Sequence, residues 1–390
     1  MDCFMFLEKI THYPVSSNVQ FLVSGHDRKI RNTVLSDLVK KAREKRHTLI
    51  VVDDTNTLEG LNETRSAAPD FQIRNVLSGE YCLYNPLKIQ SIQGTSKLRQ
   101  LLASLEYDEK NKMKLIAYLN FIRHIERLGT TQTDFVLNLE KLGKYCTNQK
   151  VAMKLESLVQ CGKIDKDTQF HLLAKYSEVC SAAADFEDML FILSPFISGK
   201  SIASEKSSNQ IWVLPTGELG SDLTLRNVVM QLLQFHLEEE KSGNTTVLIF
   251  DKGYGERTCI LNLLKSIPAR VTTHIFSEDI FSLCDPSILA IILNRFPARV
   301  YGRHLSMNSC LAIEKTCGEI DVTKKSYNVS YDRRFRANRP WDILMGNNKT
   351  ESYTTLSPVR EARYRKEMIM SFAPGNGIVE FMGNTSLFTL

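Results

Sequence analysis

Residues 19–33 read VQFLVSGHDRKIRNT, and their patterning decides the fold class. Val19, Phe21, Leu22 and Val23 form an apolar run of the length of a buried strand, which stops at Ser24-Gly25. Val34, Leu35, Leu38 and Val39 then recur at the spacing of one helix face, so a helix is expected over residues 33–43. A second apolar run, 48–52, ends in Asp53-Asp54. Strand, helix and strand in this order make a βαβ unit with a glycine at its first turn, the crossover that two parallel strands require.

The same alternation resumes in the second half of the chain. Strands are expected at 210–214, 246–251, 270–276 and 298–301, and helices at 223–240, 257–266, 286–293 and 307–317. Such repetition builds a mainly parallel sheet with helices on both faces. Between the two blocks the period changes to 3.6 residues through 98–105, 113–128, 133–145, 152–158 and 168–186, with Pro195 the single proline. The expectation is an α/β core of residues 1–95 and 202–390, interrupted by an all-helical domain at 96–201. The polar stretch 198–209 reads as the loop back.

The 390 residues are 43% hydrophobic and 24% charged, which excludes disordered and collagen-like classes. No apolar stretch is long enough to cross a membrane, and the first residues lack the basic start and long apolar region of a signal peptide. A cytoplasmic protein with no membrane segment of its own is expected. The cysteines form no C-x-x-C pair and the histidines no H-x-x-x-H, so neither a metal centre nor a disulfide framework is expected. The net charge of +5 is unevenly placed: residues 323–366 hold eleven Lys or Arg against four Asp or Glu.

Gly25 stands where a nucleotide-binding βαβ unit carries its phosphate loop, G-x-x-x-x-G-K-[ST]. In that loop backbone N–H groups wrap the phosphates, a lysine neutralises the terminal phosphate and a hydroxyl holds Mg²⁺. Counting from Gly25 puts Ile30 at the second glycine, Arg31 at the lysine and Asn32 at the hydroxyl. A β-branched Ile resists the positive φ that a glycine adopts, and Arg31 brings a planar fork where a point charge suits. Moving the register so that Lys29 is the lysine leaves no glycine at the right distance ahead of it. An ordinary strand–turn–helix that binds nothing carries the same single glycine. The second element of such a site is a buried strand ending in an acid for Mg²⁺, followed by a Glu that activates water. TVLIFD at 246–251 supplies the strand and Asp251, but the next residue is Lys252, which cannot act as a general base. Asp251 equally suits a strand-end acid capping the turn at Gly253 and Gly255.

A wider set of segments carries a resemblance through its order: FLVSG (21–25), LIVVDD (49–54), YNPL (84–87), IWVLP (211–215) ahead of a long helix, VLIFD (247–251), THIFSEDIFSL (273–283), ILNRFPARVYG (292–302) and PVREARYRKEMIMSFAPGNGIVEFMG (358–383). Together they resemble the cytosolic motor domain of type IV secretion coupling proteins, the TraG/TraD-like conjugative ATPases related to the FtsK/HerA DNA translocases. The resemblance spans about the whole chain. It implies a RecA-like, P-loop-type core with an all-helical insertion just after Asn-Pro-Leu. It also implies a closing pattern of a basic, acid-containing helix, a Pro-Gly turn and a last strand. Carried over position by position, the family's phosphate-loop Lys falls on Arg31, its Ser/Thr on Asn32, its metal-site Asp on Asp251, its catalytic Glu on Lys252 and its sensor Gln on about Ser277. Only Asp251 matches. The membrane-spanning N-terminus usual in coupling proteins has no counterpart ahead of the first strand.

These departures lead to the expectation of a pseudo-ATPase. Gly25, Lys29, Arg31, Asn32, Asp251 and Lys252 would be vestigial nucleotide-binding positions, with no catalytic residue, no metal and no cofactor. ATP and Mg²⁺ belong only to the alternative, an atypical NTPase of the DNA-translocase type in which Lys29 or Arg31 replaces the usual lysine. The expected role is that of a structural or regulatory subunit with protein partners: an active motor homologue, or a secretion or DNA-processing complex at the inner face of the membrane. Self-association is a further expectation. A third reading is an ATP-independent nucleic-acid-binding module. Arg333, Arg334, Arg336 and Arg339, interleaved with Tyr327, Tyr331, Phe335 and Trp341, have the cationic and aromatic mix that follows a DNA backbone. The same residues suit a contact in which arginines pair with the acids of a neighbouring protein.

Overall fold

The computed structural model describes residues 19–55, 57–86, 92–129, 145, 147–197, 199–202, 210–219, 222–240, 244–251, 258–281, 286–331 and 350–390. In chain order the first block is β1 (Phe21–Ser24), α1 (Arg28–Glu44), β2 (Thr48–Asp53), α2 (Glu59–Ala67), β3 (Gln72–Asn75) and β4 (Tyr81–Cys82). Helices follow: α3 (Ile92–Ser104), α4 (Glu109–Gly129), α5 (Asn148–Gln160), α6 (Lys166–Val179) and α7 (Ala183–Ile197). Alternation returns with β5 (Lys200–Ser201), β6 (Gln210–Leu214), α8 (Leu223–Glu239), β7 (Thr245–Asp251), α9 (Thr258–Ser266), β8 (Thr272–Ser277), α10 (Pro286–Arg295), β9 (Ala298–Tyr301) and α11 (Met307–Cys317). The chain closes with β10 (Glu319–Tyr331), β11 (Thr350–Ala362), α12 (Lys366–Met370), β12 (Asn376–Phe381) and β13 (Asn384–Thr389).

A nine-stranded sheet in the order β13-β12-β9-β1-β8-β7-β2-β6-β3 forms the centre. From β9 to β3 all pairings are parallel, and the β12–β13 hairpin adds two antiparallel strands beyond β9. This is the mainly parallel, RecA-like P-loop-type sheet expected from the sequence. Its strands are buried on both faces, and successive residues divide between two cores as the period of two requires. Phe21, Val23, Leu49, Val51, Leu248 and Phe250 pack with α1, while Leu22, Ile50, Val52, Val247 and Ile249 face α8 to α11.

The described residues of the segment expected as an insertion form helices α3 to α7 and the turns beside them, followed by β5; the first helix begins at Ile92, ahead of the expected boundary at 96. Its entry and exit lie together. β4 pairs with β5, and the Asn85 side-chain amide donates to the Ile197 carbonyl at 3.3 Å. Its apolar interior runs without a break into the core on the α8 face of the sheet. At the junction Lys97 reaches Glu239 at 3.2 Å over the rings of Tyr84 and Phe235.

Several elements differ from their sequence patterns. The first helix starts at Arg28 rather than at 33, because the Asp27 carboxylate caps it ahead of its apolar stripe. The expected helix 168–186 is two helices, α6 and α7, separated by a single 3-10 turn at Cys180–Ala182. In the closing pattern 358–362 is strand, not helix: β11 pairs antiparallel with β10 in a thirteen-residue ribbon, and the helix shrinks to α12. Of the helix expected at 133–145, residues 133–144 lie outside the described residues.

Candidate functional site

In open parallel sheets ligands bind beyond the carboxyl ends of the strands. Here that edge carries Gly25 after β1, Ser277 at the end of β8, Asp251 at the end of β7, Asp53 at the end of β2 and Gly302 after β9. The turn from β1 to α1 comprises only Gly25, His26 and Asp27. Its backbone donors are engaged within the fold: Gly25 N–H donates to the Ser277 carbonyl and His26 N–H to the Arg303 carbonyl, each at 2.9 Å. Gly302 N–H returns a bond to the Ser24 carbonyl at 2.8 Å, so the loop after β9 lies directly on the turn. Gly25 has φ +125°, and a Cβ there would come within 3.0 Å of the Arg303 oxygen. The glycine thus serves backbone packing against 302–303. Gly25→Ala is expected to cost about 1–3 kcal/mol of stability, read as a lowered urea midpoint.

Asp27 governs the start of α1. Its Oδ1 accepts from the backbone N–H groups of Lys29 (2.9 Å) and Ile30 (3.2 Å), the donors that at a helix N-terminus would otherwise face an anion. Its Oδ2 accepts from Gly375 N–H at 2.5 Å, which brings the Pro-Gly turn ahead of β12 onto the same spot. Lys29 donates through Nζ to the Leu390 carbonyl at 2.7 Å, and Leu390 N–H donates to the Gly375 carbonyl at 2.9 Å. A carboxylate therefore caps the N-terminal donors of α1, donors of the kind that bind an anion at a helix N-terminus, and the cation beside it is bound to Leu390 just beyond β13.

Arg31 lies one helical turn further on and faces away from this turn. It is 4% exposed and pairs with Glu63 of α2 at 3.2 Å, while Arg28 pairs with Glu59 at 2.9 Å. Two arginines spaced i, i+3 on α1 thus meet two glutamates spaced i, i+4 on α2, a geometry for holding two helices together. Burial pushes the Glu63 carboxyl up from its ordinary value, and Arg31 draws it part of the way back. Asn32 points to solvent.

Asp251 is buried at the end of β7, in register with Ser277 of β8. The Ser277 hydroxyl donates to the Asp279 carbonyl at 2.7 Å, and the Ser309 hydroxyl donates to the Asp279 carboxylate. His304 is fully buried beside them, and burial brings its pKa down to about 4 despite the pull of Asp279. Two further acids, Asp53 and Asp54, which the sequence marks only as the end of a strand, are engaged here. Asp53 accepts from Thr55 N–H at 3.0 Å and Leu61 N–H at 2.7 Å, holding the entry of α2. Asp54 accepts from the Thr216 hydroxyl at 2.9 Å and pairs with Arg226 at 3.3 Å. Burial pushes both carboxyls up. Each is occupied in tying strand ends to neighbouring loops and helices. Lys252 and the arginines 333, 334, 336 and 339 lie outside the described residues. Among the described residues no group of three or more His, Cys, Asp or Glu is arranged to hold a metal, and no helix is long and apolar enough to cross a membrane.

The residues present do not fit a nucleotide with Mg²⁺. The anion position holds Asp27, the turn is shorter than a phosphate loop, and Arg31 sits between helices. No protein-family model matches the chain, and no curated protein matches it by sequence. Among solved structures it is similar to VirB4 of Thermoanaerobacter pseudethanolicus, with 12% identity over 95% of this chain and 89% of that one, and a TM-score of 0.52. The fold is shared with VirB4. At that identity the likeness is one of architecture. The plasmid coupling protein TrwB in complex with ADP and Mg²⁺ is also similar, at 13% identity over 97% of this chain and 86% of that one, with a TM-score of 0.49. An unbound form of the bacterial conjugative coupling protein TrwB gives 12%, 96%, 84% and 0.47 for the same quantities.

Proposed function

We infer that the chain is a coupling-ATPase-like protein that does not use nucleotide, and that it acts as a structural or regulatory subunit of a type IV secretion, conjugative or DNA-processing complex. The fold shared with VirB4 supports the class of assembly. The observation that carries the loss of nucleotide chemistry is the Asp27 carboxylate on the first N–H groups of α1. A triphosphate placed there would bring its charge against that carboxylate, and it would have to displace the backbone of 302–303 and 375. The atypical-NTPase alternative has less support, because Arg31 is committed to Glu63 and Lys29 to Leu390.

Isothermal titration with ATP and Mg²⁺ is the test. No binding tighter than about millimolar is expected. A micromolar dissociation constant that Lys29→Ala or Arg31→Ala abolishes would restore the NTPase reading. Of the two readings of the basic segment 323–366, contact with protein is favoured, since a chain without motor chemistry works through its surfaces. Binding of duplex or single-stranded DNA that falls steeply with salt and is lost in R333A/R334A/R336A would favour nucleic acid instead.

A further inference from the structure

Helix α7 has two apolar sides. Phe186, Met189, Leu190, Leu193 and Phe196 are buried in the insertion's core. Phe191, Ile192 and Pro195 lie on the other side, with Phe191 81% exposed. A helix that is apolar nearly all round its C-terminal half is built to be covered on both sides. The second side borders an open groove of about 580 Å³ between α7, the loop after α3 and the start of α8, walled by Leu105, Tyr107, Phe191, Phe196 and Leu225.

The rim of this groove is acidic. Asp222 lines it, and the exposed Asp185 and Asp188 precede Ile192 and Pro195 along the same stripe of α7 at i, i+3 and i, i+4 spacing; burial, with these two acids, raises the pKa of the Tyr107 hydroxyl. Among the described residues no Lys or Arg lines the groove. An apolar trough with a negative rim selects a segment that carries aromatic anchors among cations. Residues 327–341 of this chain, YNVSYDRRFRANRPW, have that character, with Phe335 and Trp341 among Arg333, Arg334, Arg336 and Arg339.

We propose that the groove between α7 and α8 is the receptor for the basic, aromatic segment 327–341 of a second copy of this chain, so that copies associate head to tail. This rests on the reading of that segment as a protein contact. Phe335 and Trp341 supply anchors for the trough, and the arginines meet Asp185, Asp188 and Asp222 at its rim. Because the groove and the segment are different surfaces, the contact is heterologous and leaves each copy with one free receptor and one free segment, the arrangement from which rings or filaments grow.

Sedimentation of the full chain tests this, with two variants: Phe191→Ser, at an exposed position, and R333A/R334A/R336A. The wild-type chain is expected to self-associate with a salt-sensitive affinity, and each variant alone to lose association by about tenfold or more, the loss typical of an anchor residue. An equimolar mixture of the two variants should regain a 1:1 complex, since one supplies an intact groove and the other an intact segment. A synthetic peptide of residues 327–341 should bind the triple variant and bind F191S at least about tenfold more weakly. If the arginine variant loses association and F191S does not, the protein contact stands and the groove assignment falls. If neither variant changes association, or the wild-type chain stays monomeric and the peptide fails to bind, the proposal and the protein-contact reading both fall.

Discussion

Acidification from about pH 6.5 to about pH 5 is expected to destabilise the chain by on the order of 2 kcal/mol per pH unit once both His274 and His304 are charged in the unfolded state. Both rings are buried, and desolvation lowers their pKa values, to about 3 for His274 and about 4 for His304. Lys45 adds repulsion to a charged His274, while His26 opposes and Asp279 favours a charged His304. His274 Nδ1 also accepts the Phe21 N–H at 3.2 Å, a bond that protonation at that nitrogen would break. Below the ordinary histidine pKa the unfolded chain therefore binds protons that the folded chain refuses, so stability falls as pH falls. Asp53, Asp54 and Glu63 act in the opposite direction, because their raised values make the folded state the better proton acceptor, and their influence grows as the carboxylate range is approached. The histidine slope is thus cleanest between pH 5 and pH 6.5. Urea unfolding at several pH values should show it, and H274Q/H304Q should flatten it. An unchanged slope in that double variant would refute the assignment.

Replacing Arg31 by Ala should cost about 3–5 kcal/mol, because it strands the Glu63 carboxylate in the interface between α1 and α2. R31M/E63L, which removes both charges and keeps the volume, is expected to lie close to the wild-type stability. A phosphate-reading arginine would behave in the reverse way: its loss would leave the urea midpoint in place and change ligand affinity. The two variants measured side by side therefore separate a helix clamp from a remnant of nucleotide binding.

Much of the sheet was legible in the sequence because strands buried on both faces are near-continuous apolar runs. Residues 48–52, 210–214, 246–251 and 298–301 fall within a residue or so of β2, β6, β7 and β9. The ribbon β10–β11 was not legible. Its first strand reads EIDVTKKSYNVSY, with polar residues and no steady alternation, and its partner begins nineteen positions after it ends. The start of α1 was missed for a different reason. Arg28 and Lys29 carry no apolar signal, and the cue was Asp27, a preferred N-cap residue at the head of a polar turn. The site itself depends on partners far along the chain: Gly375 lies 348 positions from the carboxylate it bonds. The sequence could show a turn without the residues of a phosphate loop; it could not show that Asp27 caps α1 and is itself held by Gly375.

A carboxylate fixed to the backbone beside the first turn of α1 is a ligand that cannot diffuse away. Its local concentration is set by covalent attachment and does not vary with the metabolite supply around the protein. In a nucleotide-driven subunit the equivalent turn alternates between loaded and empty, and that alternation is its clock. On the proposed reading the turn stays loaded, so it would have one state and keep no time. In an assembly with working motors, such a subunit would hold its shape through every cycle of its neighbours, as a fixed point against which their strokes act.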